Sequence, residues 1–220
     1  MNTRIYFLIL SVGYFGSCSS SETSKVDSKP SEENLVDSFS LFQAAFEELD
    51  FSNSTINFHH WNWDNPQDST YFGQIINPQL LQNYTDTSFK IFEDDEYYAV
   101  GSISELNAYL IRSRSSEANY MQELFLFLFD DKNALTDSKK VASFYGAEGF
   151  INQSASWLSK KDSKYSLIMR NYNWSMSMPS GKEKQSEELR TYSFDKNRFK
   201  EEDTHFMSEL EKKKYPFVGK

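Results

Sequence analysis

The sequence predicts an α+β fold that is mainly β: an antiparallel β-meander, laid out as a sheet or open barrel, with an N-terminal amphipathic helix packed on it. Three observations point there. One helical stripe of apolar residues occupies positions 35–49. From residue 89 onward apolar residues recur with period two. Short connections rich in turn residues join these segments. Connections that short make hairpins, because a parallel crossover needs a dozen residues or more.

Asn34 can cap the helix, with Asp37 three residues on. Leu35, Phe39, Phe42, Phe46 and Leu49 then recur at spacings of four, three, four and three, one helical face over residues 35–50. Glu47, Glu48 and Asp50 stand at the end where the macrodipole disfavours acids, which asks for an exposed face or a basic partner. Residues 56–58 are short and strand-like. Asn77-Pro78 starts a helix with Pro at its first position, and Leu80, Leu81 and Tyr84 face inward.

Residues 89–92, 97–103 and 106–112 are expected strands, with the turn-like acid cluster Glu93-Asp94-Asp95-Glu96 between the first two. Residues 121–129, "MQELFLFLF", carry Phe125, Phe127 and Phe129 on one face and Leu124, Leu126 and Leu128 on the other. A strand apolar on both faces belongs at the centre of a sheet covered on both sides. Strands at 141–145, 150–158, 165–173, 188–194 and 198–201 follow. Their connections hold "DDKN", Gly146 and Gly149, residues 160–164 and Asp195-Lys196-Asn197. Phe206 and Leu210 suggest a short closing helix. No internal repeat suggests a propeller.

The first residues predict an address. Arg4 is the only charge before Glu22, and residues 5–15 are apolar apart from Ser11 and Gly13. A helix of that length reaches about 16 Å, short of a bilayer core of roughly 30 Å. A basic start, a short apolar run and then Gly16 and Ser17 have the form of a secretory signal. Cys18 follows as the only cysteine, so no disulfide can form within the chain. Phe15-Gly16-Ser17-Cys18 resembles a bacterial lipoprotein lipobox, with Phe where an aliphatic residue is usual. The competing reading is an ordinary signal peptide cleaved near Ser17 or Ser19, with Cys18 incidental.

Residues 19–33 hold six serines and no aromatic residue, with Pro30 near their end. Such a segment cannot bury enough surface to offset its ordering entropy; as a flexible tether it spans about 20 Å. The expected organisation is a signal peptide (1–17), a lipidated Cys18 with its tether (18–33) and one β-rich globular domain (34–220). Each buried methylene of a lipid contributes about 0.8 kcal/mol, and two or three chains hold a protein on a membrane. The expected location is the cell envelope, anchored to the outer membrane.

The chain has 220 residues and a formal charge of −9, one unit more negative once Arg4 leaves with the signal. That balance disfavours nucleic acid, which needs clusters of Lys and Arg. Aromatic residues make up 16 %, enough large side chains to fill one core.

The stretch from "YYAVGSI" through "QELFLFLFDDKNALTDSKKVASFYGAEGFINQSASWL" to "YSLIMRNY" resembles a group of uncharacterised lipoproteins of Bacteroidota. The shared features fall on Tyr98-Ala99-Val100, Phe129-Asp130, Tyr145-Gly146 with Glu148-Gly149, Ser156-Trp157 and Ile168-Met169-Arg170. The resemblance covers about half the chain. It implies location and a β-rich fold and brings no activity. In that group an acidic loop looks fit for Ca²⁺. Here residues 159–164, "SKKDSK", offer one carboxylate among cations where Ca²⁺ takes six to eight oxygens. In the same group an Arg ends an inner strand, so Arg170 is expected to be paired and structural, with Glu148 or Asp130 as candidate partners.

The most unusual hexamer is "HHWNWD", residues 59–64. If extended, it places His59, Trp61 and Trp63 on one face and His60, Asn62 and Asp64 on the other. Trp61, Asn62 and Trp63 are the candidate ligand-stacking residues, for a sugar or a peptide; the alternative packs both tryptophans under the helix. A zinc site is disfavoured, since adjacent histidines on a strand point apart and only His205 remains. Residues 93–96 fit a solvated hairpin tip better than a cation loop, lacking the Gly that tightens one. No G-x-S-x-G is present, and Cys18 belongs to the anchor. Two functions remain. One is a lipid-anchored, non-catalytic binding module for an envelope protein or glycan, needing no cofactor and no metal. The other is a small envelope hydrolase working through carboxylates or a His.

Overall fold

The computed structural model describes residues 32–49, 55–58, 73–86, 89–115, 121–162, 164–177, 180–195 and 197–217. Its elements in chain order begin with α1 (Glu32–Gln43), β1 (Thr55–Phe58), β2 (Gln74–Ile75) and α2 (Pro78–Leu81). The main strands follow: β3 (Glu96–Ile103), β4 (Ala108–Arg114), β5 (Met121–Phe129), β6 (Leu135–Ala147), β7 (Phe150–Lys161), β8 (Lys164–Ser177), β9 (Lys182–Phe194) and β10 (Phe199–Phe206). Helix α3 (Glu209–Lys214) closes the described chain. The fold is mainly β. One open sheet of ten strands runs β10-β9-β8-β7-β6-β5-β4-β3-β2, and β1 pairs with β7 off that path. Every neighbouring pair of strands is antiparallel.

Strand β5 lies inside the sheet between β4 and β6, as its two apolar faces require. Leu124, Leu126 and Leu128 join one core with Leu110, Val141, Leu158, Leu167 and Tyr192. Phe125, Phe127 and Phe129 join the other with Phe39, Phe42, Leu81, Tyr84, Phe89, Tyr109 and Ile111. Phe42 carries the aromatic part of that second core: its ring centroid lies 5.0 Å from Tyr84, 5.1 Å from Tyr109 and 5.7 Å from Phe129.

The sheet rolls. Strands β6 and β10 stand four places apart in the order, roughly 19 Å across a flat sheet at about 4.8 Å per strand. Yet the backbone N–H of Phe199, at the start of β10, donates to Asp137 Oδ2 on β6 at 2.8 Å. The roll encloses the first core. It comes about because β6 pairs with β5 along residues 135–145 but with β7 only through residues 143–147. Where β6 leaves β7, β1 takes its place against residues 156–159. The outer face of β7–β9 is covered by the C-terminal segment: Tyr215 packs on Trp157 at 5.0 Å and Phe217 on Tyr172 at 6.3 Å.

Several expectations need correction. The N-terminal helix starts at Glu32, ahead of the expected cap Asn34, and ends at Gln43, well short of residue 50. Residues 47–49 instead run beside β3, with Ser102 N–H donating to Glu47 O at 2.7 Å and Leu49 N–H to Ser102 O at 2.8 Å. The acids disfavoured at a helix end are used differently. Glu48 accepts from the Ser104 N–H at 2.9 Å and so caps the 3-10 turn at 104–106. Gly101 makes this close approach possible, because a Cβ there would meet Leu49 Cδ2 at 2.4 Å.

Residues 89–92 form no strand, since the edge of β3 that they would need is held by β2. Phe89 is buried, and the segment is pinned by side chains: Phe89 N–H donates to Asp86 Oδ1 and Phe92 N–H to Tyr97 OH, both at 2.8 Å. The Asn77 cap is as expected, its Oδ1 accepting from Gln79 N–H at 2.9 Å before Pro78 at the helix start. Arg170 is indeed buried and paired, but with Glu187, opposite neither Glu148 nor Asp130. Its Nε donates to Glu187 Oε2 at 3.0 Å and its Nη1 to the Tyr215 carbonyl at 2.7 Å.

Candidate functional site

The inner face of β6–β9 changes character along its length, and register shows how. Tyr165 and Phe194 pair at one end; the next inward row is Leu158, Leu167 and Tyr192; then come Ser156, Met169 and Arg190. Beyond them lie Ser143, Ser154, Asn171 and Glu188, with Phe206 of β10 completing the row. The last row is Tyr145, Asn152, Asn173 and Ser186. Aromatic and aliphatic side chains thus give way to hydroxyls, amides and charges within single strands. The apolar end is sealed in the core. The polar end opens into a bay of about 420 Å³ lined by Lys139, Lys140, Ser143, Asn152, Ser154, Met169, Asn171, Asn173, Glu188, Arg190 and Tyr192.

Hydrogen bonds hold this floor in place. The hydroxyls of Ser143 and Ser154 meet at 2.8 Å, and Asn152 Nδ2 donates to Asn173 Oδ1 at 2.6 Å. Ser156 Oγ donates to the Val141 carbonyl at 2.6 Å beneath them. Arg190 Nη2 donates to Glu188 Oε2 at 3.1 Å. That bond is the main cause raising the Arg190 pKa above its ordinary value. Lys139 is half-buried, its ammonium 4.0 Å from the centre of the Tyr192 ring. Burial pushes its pKa down, and the nearby Arg190 adds to that; Glu201 and Asp137 oppose it. The Tyr192 hydroxyl donates to Glu201 Oε2 at 3.1 Å, and burial raises its pKa.

Other clefts open elsewhere among the described residues. One, of about 490 Å³, lies beside Phe39, Tyr84 and the β5–β6 turn. Another, of about 600 Å³, gathers Lys160, Lys164, Arg198 and Lys200 with Glu105 and Asp195 at the sealed end of the roll. The loop compared above with an acidic, Ca²⁺-capable one borders this cleft. Lys160 is paired there with Glu105.

Cys18, Trp61, Asn62 and Trp63 lie outside the described residues, as do His59 and His60. His205 sits on the outer face of β10 between Asp203 and Glu211, each at 2.8 Å, and ties α3 to the sheet. Among the described residues no three of His, Cys, Asp and Glu gather so as to hold a metal ion. None of the described helices is long and apolar enough to cross a membrane. Glu96, the last acid of the 93–96 cluster, begins β3, accepts from the Tyr98 hydroxyl at 2.7 Å and pairs with Arg114 at 3.5 Å.

The residues of the bay escaped sequence reading because they come from four strands and form no motif. One signal was present. Alternation in "NQSAS" and "RNYN" places Asn152, Ser154, Asn171 and Asn173 on the side that is apolar earlier in β8 and later in β7. No family model matches the chain, and no curated protein or solved structure matches it either.

Proposed function

We propose that this chain is a lipid-anchored protein of the cell envelope whose folded domain binds a ligand without transforming it. On this reading Cys18 carries the lipid, residues 19–33 form the tether, and the domain acts on an envelope protein or glycan. The N-terminal helix then covers the second face of the sheet, and the tether leaves from its start. The resemblance to Bacteroidota lipoproteins supports the location.

The observation that supports a binding role is the chemistry of the inner-face bay. Its polar groups are amides, hydroxyls and cations, with one carboxylate, Glu188, bonded to Arg190. Carboxylate catalysis works through two acids facing one substrate with their pKa values pushed apart. Fixed amides and hydroxyls serve recognition, where orientation and satisfied hydrogen bonds set specificity.

Fractionation and turnover test the proposal together. Cys18→Ser is expected to move the protein from membranes to the soluble fraction, and mass spectrometry of the wild type to find lipid on Cys18. Purified domain is expected to leave glycan, peptide and ester libraries intact. Hydrolysis lost on changing a single Asp, Glu or His would replace this reading with the envelope hydrolase. For the tryptophan pair, Trp61→Ala with Trp63→Ala is expected to weaken ligand capture while the fold is kept.

A further inference from the structure

We infer that the polar bay on the inner face of β6–β9 binds an acidic saccharide. Its anionic group is held between Lys139 and Arg190, and its hydroxyls lie against Asn152, Ser154, Asn171 and Asn173. The inference rests on the binding-module reading and names the ligand class for it.

Charge is the first argument. The chain is acidic, at −9, yet the groups turned into the bay are two cations and one acid. Lys140 also borders it, but its ammonium is spent on Glu123 at 2.7 Å. Lys139 has no carboxylate within ion-pair distance among the described residues, although it is half-buried on an aromatic face. The groups that face it are Tyr192, Arg190, Glu201 and Asp137. Arg190 donates to Glu188 through Nη2 and also faces the Tyr192 hydroxyl, with its side chain still 41 % exposed. The two cationic side chains therefore converge, Lys139 in a partly desolvated place where a charge-assisted bond is strong. An anion there would meet the exposed end of the Arg190 guanidinium and give Lys139 an ion-pair partner closer than Glu201 and Asp137.

The rest of the bay says what the anion is attached to. Beside the cations stand Ser143, Asn152, Ser154, Asn171 and Asn173, which offer both donors and acceptors, as a polyhydroxylated ligand requires. The Asn152–Asn173 bond orients both amides and leaves Asn152 Oδ1 and both hydrogens of Asn173 Nδ2 for a ligand. Aromatic rings flank the polar rows. Tyr145 at one end is 37 % exposed and backed by Phe150 at 5.6 Å; Phe206 at the other is 75 % exposed. Exposed rings beside amides are suited to the apolar faces of sugar rings. The bay's 420 Å³ lies within the range of about 300–1,000 Å³ typical of ligand pockets.

The test is an array of uronate-containing, sialylated and phosphorylated oligosaccharides printed beside their neutral counterparts, probed with the wild-type protein. Calorimetry follows on the best acidic compound, its neutral counterpart and inorganic phosphate. The expected result is retention of acidic compounds over neutral ones, weakening as salt rises. Lys139→Met and Arg190→Gln are each expected to weaken binding about tenfold or more, with melting points held. If a charge variant fails to fold, Asn173→Ala and amide-shift mapping on the wild type replace it, with shifts centred on residues 143, 154, 171 and 173. Equal retention of neutral compounds, retention of none, or unchanged binding by folded Lys139→Met would overturn the assignment. Phosphate alone binding as tightly as the saccharide would reduce the bay to a free-anion site and overturn the saccharide. Cleavage of the retained saccharide would instead defeat the non-catalytic reading and leave the site standing.

Discussion

At the scale of single residues, stability concentrates in a few buried groups. Phe127 is fully buried in the middle of β5 and meets Phe89 edge-on at 4.9 Å. Phe127→Ala removes that contact and leaves a cavity, so it is expected to cost about 3–5 kcal/mol in denaturant melts. A melting point within a degree or two of wild type would remove β5 from its central role. Arg170 and Glu187 keep only 8 % and 10 % of their side chains exposed. Removing one partner strands the other's charge, so Glu187→Ala is expected to cost about 3–5 kcal/mol, and replacing both by Met and Leu to restore most of it. His205 has the opposite setting, at the surface between two acids. Hydrogen bonds accepted by Glu211 first and Asp203 second raise its pKa above 6.5. A raised pKa means its contribution is complete below 6.5 and is lost as pH rises through the folded-state value. Glu211, held at about 2 by Ser208 and His205, contributes above 4.5 and loses its share only as pH falls toward 2. Melting points of wild type and His205→Gln are therefore expected to differ most between pH 4.5 and 6.5 and to converge above the raised His205 pKa.

At the scale of elements, the C-terminal segment shows how a short helix is kept. Six residues are too few to be helical alone. Helix α3 is held by a capping box, Ser208 with Glu211, by acids in its first turn, and by Lys212, Lys213 and Lys214 in its last. Its tail then seals the outer face, with Phe217 stacked over the Arg170 guanidinium at 4.3 Å. Deleting residues 208–220 is expected to lower the melting point and red-shift tryptophan emission. The shift should shrink when the deletion is made in Trp157→Phe, since Trp157 loses its Tyr215 cover. Strand β10 carries Lys200, Glu201, Glu202 and Asp203 on the free edge of the sheet, where charge discourages pairing with another chain.

At the scale of the whole molecule, the two cores share β3–β5 and so cannot melt independently. Leu126 faces one core and Phe127 the other, one peptide bond apart. Leu126→Ala and Phe127→Ala are expected to shift one common transition, coincident by far-ultraviolet and near-ultraviolet circular dichroism. Separate transitions would show that the roll is two units. The roll also creates the bay: by bringing β6 back toward β9 and β10 it sets Lys139 over Tyr192 and beside Arg190.

The sequence alone determined what depends on neighbours in the chain. Period-two alternation located the strands from β3 to β10, two apolar faces placed β5 inside the sheet, and Asn77-Pro78 marked a helix start. These are local signals, written in successive residues. Their limits were local too. The apolar stripe of residues 35–49 ran past the true helix end, because Leu49, partly buried, packs against Gly101 of β3 and not against a further helical turn. Phe89 and Phe92 looked like a strand, but a strand needs a free partner edge, and β2 already held it. Only the tertiary structure decided which charges meet. Arg170 found Glu187 across a ladder, and Lys139 came to Arg190 through the roll of the sheet. The candidate site belongs wholly to this second class. Its polar residues lie on four strands, each unremarkable in its own segment, and they become a site when antiparallel register stacks them in rows and curvature leaves one end of the inner face open.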